Sequence, residues 1–504
     1  SRQVNPMRRA ITCAALPSVF GLLLAMLATY AAAPAIAVDR CSAPGATIPG
    51  EALSLGWERS YRSGCPDDAG KLAGGSEVLH LVPHKGKLYA GVGYWMDPRN
   101  LWYGGSPVTG SWAQVLRLDG PNARWQVDLD MAMHLRAEIL YSATFTTDGS
   151  GRSLPSPVTL LFAAAYQGNG SGGVSLFTRD DASGRWEKSK IIDQPTGKKG
   201  ADNSVRALRV HRDKVTGVDR LFVSVGVFGI FSGIYDPAML GKIRWDARSE
   251  SGPVAMRPLA IIEANGALLF SSDRAVYRRV DGLQPRYEPV VQIDDAGGGS
   301  TFSPVGGIRG MTAIANPTGA GQSLLLVWAP GKQSRSCVLR FDPSASGAYT
   351  RADEICLDTL VRQYLSGTPA SYVLAGYNEL LSVKDPVTNQ IKNLIGMSEW
   401  VSGNRVRTTQ SKTNNGGFYA GALYAVRDAA GRYRMHEVNG PINASNPELV
   451  ATRTYTASPF PQDDGRVVYF GGYDCNYMPA PDTAWIFRTS LANALGEMSA
   501  RAPH

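Results

Sequence analysis

One short pattern recurs along the chain and restricts its fold more than anything else in it. Apolar residues alternate up to an aspartate, a polar turn follows, and an aromatic residue opens another alternating run. "VLRLDGPNARWQ" (115–126), "LFTRDDASGRWE" (176–187), "VYRRVDGLQPRYE" (276–288), "VLRFDPSASGAYT" (338–350) and "LYAVRDAAGRYR" (423–434) are five copies. The paired residues are Asp119/Trp125, Asp181/Trp186, Asp281/Tyr287, Asp342/Tyr349 and Asp428/Tyr433, with Asp236/Trp245 as a sixth pair around a longer turn. Period-two alternation on both sides of a turn is the signature of a hairpin. The aspartate is expected to cap its turn through backbone amides, and the aromatic to cover the end of a neighbouring sheet. A hairpin repeated this way is a structural unit.

Upstream of each copy lies a more strongly apolar strand, among them "KLYAGVGYW", "TLLFAAAYQ", "RLFVSVGVF", "ALLFSSD" and "SLLLVWAP". A further strand and tight turn come before each of those, as in "SVRALRVHRDKVTG". Four antiparallel strands per unit, repeated at roughly 30 to 75 residues, predict an all-β chain built as a seven-bladed β-propeller. The seventh unit, from Ala451, runs out of chain before an outer strand. "LSLGWERSY", Leu53 to Tyr61, has the pattern to supply it and close the disc. On these repeats the chain resembles secreted β-propellers at the level of architecture. The sialidase Asp-box spacing and the repeated Gly-Gly pair of kelch blades are not matched, and architecture alone does not assign an activity.

Arg8 and Arg9 precede an uncharged stretch that ends in Ala35-Ile36-Ala37, the form of a secretory signal peptide. Residues 1–37 are therefore predicted as signal, with 1–6 a possible upstream leader, 38–75 as an N-terminal segment and 76–504 as the propeller. Taking away Arg2, Arg8 and Arg9 lowers the formal charge from +8 to +5, with no run of five like charges. That is unlike the concentrated basic stripe of a nucleic-acid platform. The expectation is a secreted, periplasmic or extracellular monomer, off the membrane once cleaved. In an oxidising compartment disulfides follow. Cys337 and Cys356 flank their turn almost symmetrically and should bond across two strands, and Cys41 with Cys65 is the economical second pair. Cys475 is left over.

The first strands of the units open with "LRAEIL", "VRALRV", "IRGMTAI" and "TRTYTA", which places Arg136, Arg206, Arg309 and Arg453 at similar points. Arg257 in "MRPLAII" adds a fifth, while Glu77 and Tyr377 or Asn378 stand there in the remaining units. Convergent guanidinium groups predict an anion site, since arginine holds carboxylate and sulfate through a planar fork. The alternative is that each pairs with an acid such as Glu77, Glu138 or Asp202 and pins neighbouring units. Long loops carrying Trp95, Trp102, Trp400 and Tyr473 share that face and suit a ligand with flat apolar surfaces as well as charge. An anionic carbohydrate fits, bound or cleaved by β-elimination. For cleavage, His134, His211 and Tyr377 are the candidates to take or supply a proton, with arginine neutralising the carboxylate. His211 also has the place of a packed residue further down its strand. A non-catalytic protein-interaction scaffold is the other reading. No metal-ligand spacing, nucleophile elbow or phosphate loop is present, and no cofactor is assignable.

Overall fold

The computed structural model describes residues 41, 56–94, 112–166, 172–198, 200–294, 307–330, 335–402, 417–440, 449–473 and 482–496. The fold is all-β, with several four-stranded antiparallel sheets and, among the described residues, two short α-helices, Leu357–Tyr364 and Leu491–Ala494. Trp95, Trp102 and Cys475, the predicted signal segment and most of the long loops that carry Trp95, Trp102, Trp400 and Tyr473 lie outside the described residues. Among the described residues no helix is long and apolar enough to cross a membrane.

All but the last sheet are formed by strands consecutive in the chain. The first comprises Glu77–His84, Lys87–Gly93, Ala113–Leu118 and Gln126–Met131, and the next Arg136–Thr147, Ser153–Tyr166, Val174–Asp180 and Arg185–Ile192. Val205–Arg212 begins a third, Ala260–Ala264 a fourth and Gly307–Ala315 a fifth. In the following sheet the first strand is broken into Ala370–Ala375 and Leu381–Lys384, both paired with Ile391–Ser402. The last sheet is Val450–Ala457, Val467–Tyr473 and Trp485–Ser490, and its outer strand is Glu58–Arg62 from the other end of the chain. Of the predicted Leu53–Tyr61, residues 53–55 lie outside the described residues, and the rest overlaps this strand from Glu58.

The hydrophobic gradient across a sheet explains the sequence pattern. Second strands are sandwiched between neighbouring sheets, so Ser323–Ala329 is buried at every residue and reads as a continuous apolar run. The outer strand Tyr349–Cys356 is fully buried at none of its residues. The apolar cores lie between consecutive sheets. One joins Leu268 and Phe270 to Phe222, another Leu325 and Val327 to Ile395 and Met397, and another Tyr469 and Ile486 of the last sheet to Val78 and Leu88 of the first.

The repeated hairpin fastens these junctions. Its aromatic residue reaches back to the preceding sheet: Trp125 Nε1 donates to Ser60 Oγ (3.1 Å), Trp186 Nε1 to Asp128 (2.8 Å), Trp245 Nε1 to Ser189 Oγ (3.1 Å) and Tyr287 Oη to Glu250 (2.7 Å). Tyr433 Oη donates to Glu354, which also takes Arg340 of its own sheet and Arg427 of the next. The aspartates differ from expectation. Asp236 and Asp428 accept from their own turn amides, but in "TRDDASGRW" the cap is Asp180. Asp181 instead binds His84 and Lys85, and Asp281 binds His211, both on the preceding sheet. Arginine two residues before each of them, Arg179 and Arg279, also binds the carboxylate. Cys337 and Cys356 are opposite each other in register and bonded, as are Cys41 and Cys65.

Candidate functional site

The first strands do not run evenly at their starts. Register shifts fall between Val78 and His80, Arg136 and Ile139, Val205 and Leu208, Arg309 and Thr312, and Thr452 and Thr454. A bulge inserts a residue, increases the local twist and re-aims side chains. Here the same irregularity recurs in sheet after sheet, at or beside the charged residue. It draws Glu77, Arg136, Glu138, Arg206, Arg309 and Arg453 into one buried cluster.

Glycine makes the closest approach possible. Gly310 and Gly376 both have positive φ, and a Cβ on Gly310 would stand 3.0 Å from Gly376 Cα. With no side chain on either, the strand bearing Arg309 meets the break at 376–380 directly. Leu380 N donates to Thr312 Oγ1 across that junction (2.7 Å). The Arg309 guanidinium thereby lies 5.3 Å from the Tyr377 ring centre, and that of Arg453 4.1 Å from the same ring.

Two carboxylates hold three of the arginines. Glu77 is 2.6 Å from Arg136 Nε and 3.3 Å from Arg453 Nη1. Glu138 lies 3.1 Å from Arg136 Nη1 and 3.1 Å from Arg206 Nη1. Arg206 Nη2 also donates to the Tyr377 carbonyl, and Arg257 Nη1 to Ser204 Oγ (2.9 Å). Arg309 is different. It is 3% exposed, and among the described residues its Nε and Nη1 have no hydrogen-bond acceptor. No ion pair to it occurs among the described residues.

The electrostatics follow from burial and crowding. Burial pulls Arg309 down to about 10, Tyr377 and Tyr372 oppose this, and Arg257 and Arg453 add to it; it stays charged at neutral pH. Burial likewise drives Arg206 well below its ordinary value, against the pull of Glu138 and with the push of Arg453, Arg257 and Arg309. For Glu138 burial alone would raise the pKa, yet the surrounding guanidinium charges win and hold it far below the usual carboxylate range. His80 lies in the same field. Burial, then Arg206 and Arg453, lower it to about 3, so its imidazole is neutral.

Aromatic residues border the charges. Tyr377 Oη is 2.6 Å from Tyr473 Oη and 3.2 Å from Ser398 Oγ. Leu135, Tyr419, Val450 and Tyr473 form an apolar cluster here drawn from several sheets, with half-buried Trp400 and Trp112 against it. Trp400 meets Tyr419 edge-on at 5.1 Å.

Of the residues expected from the sequence, Arg136, Arg206, Arg309, Arg453, Tyr377 and Tyr473 thus come together, with Trp400 at the border. Two histidines do not join them. His134 Nδ1 faces the Met131 and Ala132 carbonyls, and its ring packs on Phe177. His211 stands five residues along its strand from Arg206, about 16 Å at strand rise, between Glu263 (2.5 Å) and Asp281 (3.1 Å). Burial would lower its pKa, but those carboxylates raise it. His80 was missed because it is three residues from Glu77. A regular strand would send the two to opposite faces, and only the bulge between Val78 and His80 reverses that.

No protein-family model matches the chain, and no curated protein matches it. Among solved structures, a crystal structure of a protein from Lactobacillus plantarum aligns with a TM-score of 0.37 and 10% identity, over 73% of this chain and 86% of that one. A score that low supports no conclusion about fold or function.

Proposed function

We propose that the chain is a secreted seven-bladed β-propeller that binds an anionic polysaccharide on the face where the innermost strands begin. Support for closure comes from the core shared by the last and first sheets and from the pairing of Glu58–Arg62 with Trp485–Ser490. The disulfides favour an oxidising compartment.

The observation that carries the functional reading is an imbalance of charge. Arg136, Arg206, Arg309 and Arg453 crowd one another; Glu77 and Glu138 are shared among Arg136, Arg206 and Arg453, and Arg309 makes no ion pair among the described residues. Buried guanidinium groups in excess of carboxylates suit a ligand that brings its own negative charge. Aromatic borders suit the flat faces of sugar rings.

Binding is better supported than cleavage. His134 and His211 are engaged away from the arginines, and Tyr377 Oη is tied to Tyr473 and Ser398. His80, with Nε2 unpaired, is the imidazole left beside the cluster. The test is saturable binding to uronate-rich or sulfated polysaccharide, weakening as salt rises, against a neutral glucan as control. Ultraviolet absorbance from an unsaturated product, growing with time, would add elimination. Absence of any binding, or a stable protein complex in its place, would reject the reading and favour a scaffold.

A further inference from the structure

We infer that Arg309 marks an internal site for one small oxyanion, a single carboxylate or sulfate group, within the arginine cluster. The inference rests on the proposed anion-binding reading and narrows it: the polymer is recognised through one acidic group at a time.

Buried polar nitrogens without acceptors are rare in native proteins, and each needs a cause. Here they coincide. Arg309 Nε and Nη1, Arg206 Nε and Arg453 Nε are all buried and lack acceptors among the described residues. Arg309 feels the charges of Arg257 and Arg453, and Arg206 feels those of Arg453, Arg257 and Arg309, so these groups share one field. Breaking or omitting the partner of a buried charge is strongly destabilising. Arg136, Arg206 and Arg453 avoid that through Glu77 and Glu138. Among the described residues Arg309 has the Tyr377 ring, whose face attracts a cation but accepts no conventional hydrogen bond. An anion supplies what is missing.

Enclosure sets its size. Arg309, Arg206, Arg453, Tyr377 and Tyr473 are each more than nine-tenths buried. Side chains this enclosed leave no place for a chain of sugars, so the occupant we infer is a single carboxylate or sulfate group. The guanidinium fork provides the matching planar donors.

Thermal unfolding of the mature chain, titrated with sodium sulfate and separately with sodium glucuronate at fixed ionic strength, tests this. The expected result is a Tm that rises and saturates with either probe. In Arg309→Met the saturable rise should vanish, leaving only the shallow, linear effect of sulfate on any protein. Without added anion, Arg309→Met should be as stable as the parent or more so, because it removes an uncompensated buried charge. An unaltered response in Arg309→Met overturns the inference, and so does a large loss of stability with the response intact, which would make Arg309 a strut. Should the variant not fold, calorimetry of the parent decides, and no saturable heat with either probe overturns it. Binding of polysaccharide without binding of sulfate or glucuronate would reject this site and leave the broader reading standing. Small-anion binding without polysaccharide binding would do the reverse.

Discussion

Glu138→Gln tests whether the arginine cluster is held by the ion pairs described. The substitution keeps the size of the side chain and removes its charge. Glu138 is fully buried and sits 3.1 Å from both Arg136 and Arg206. At an effective dielectric of about 20, each such contact is worth roughly 5 kcal/mol of Coulomb attraction, so the gross loss is about 10. The buried carboxylate itself costs several kcal/mol to desolvate, which glutamine largely escapes, leaving a net loss of about 3–5 kcal/mol. Urea unfolding followed by tryptophan fluorescence should show the midpoint fall by the corresponding amount. The pH profile gives a second readout. Because the folded pKa of Glu138 is depressed, its stabilisation is present above the ordinary carboxylate pKa and is lost as pH falls through the acid range. In the glutamine variant that acid-side loss should be smaller. A variant within about 1 kcal/mol of the parent, with an unchanged acid limb, would refute the assignment of Glu138 as the clamp between Arg136 and Arg206.

Glu354→Gln should cost about 3–5 kcal/mol by unpairing Arg340 and Arg427 together; a double-mutant cycle with Tyr433→Phe should show coupling across the two sheets. Replacing Cys337 and Cys356 by serine opens a loop of 19 residues and should lower stability by about 3 kcal/mol, read as a shift in thermal midpoint. His436, stacked on Tyr424, is held neutral mainly by burial, with Arg434 and Lys392 adding to it, and its pKa falls to about 4. A depressed histidine must charge as the chain unfolds in acid, so stability should drop by roughly 1.4 kcal/mol per pH unit between about 6.5 and about 4. His80 adds a similar drop over the same range, so His436→Phe should reduce the slope by about 1.4 kcal/mol per pH unit, and an unchanged slope would show that His436 does not contribute to it.

What the sequence determined by itself is the repeat and its strands. Alternation before Asp342 and after Tyr349 marks an outer hairpin, and the unbroken apolar run from Leu324 to Trp328 marks a strand covered on both sides. Burial of side chains dictates such patterns locally, so they are legible without coordinates. Cys337 and Cys356 could be paired for the same reason, since a hairpin fixes cross-strand neighbours. The arginines at the strand starts were legible as a recurring position. Their surroundings were not. A bulge changes which face a residue occupies without leaving a mark in composition, so His80 joins Glu77 and Arg453 only through the shift at Val78. The Gly310–Gly376 approach, which sets Arg309 over Tyr377, depends on two sheets distant in the chain. Likewise Asp181 left its turn for His84 because a neighbouring sheet offered a better partner. Whether a given arginine finds an acid is a matter of which strands end up adjacent. That is decided by packing between sheets, and it is why Arg136 is paired and Arg309, at the same place in its own repeat, is not.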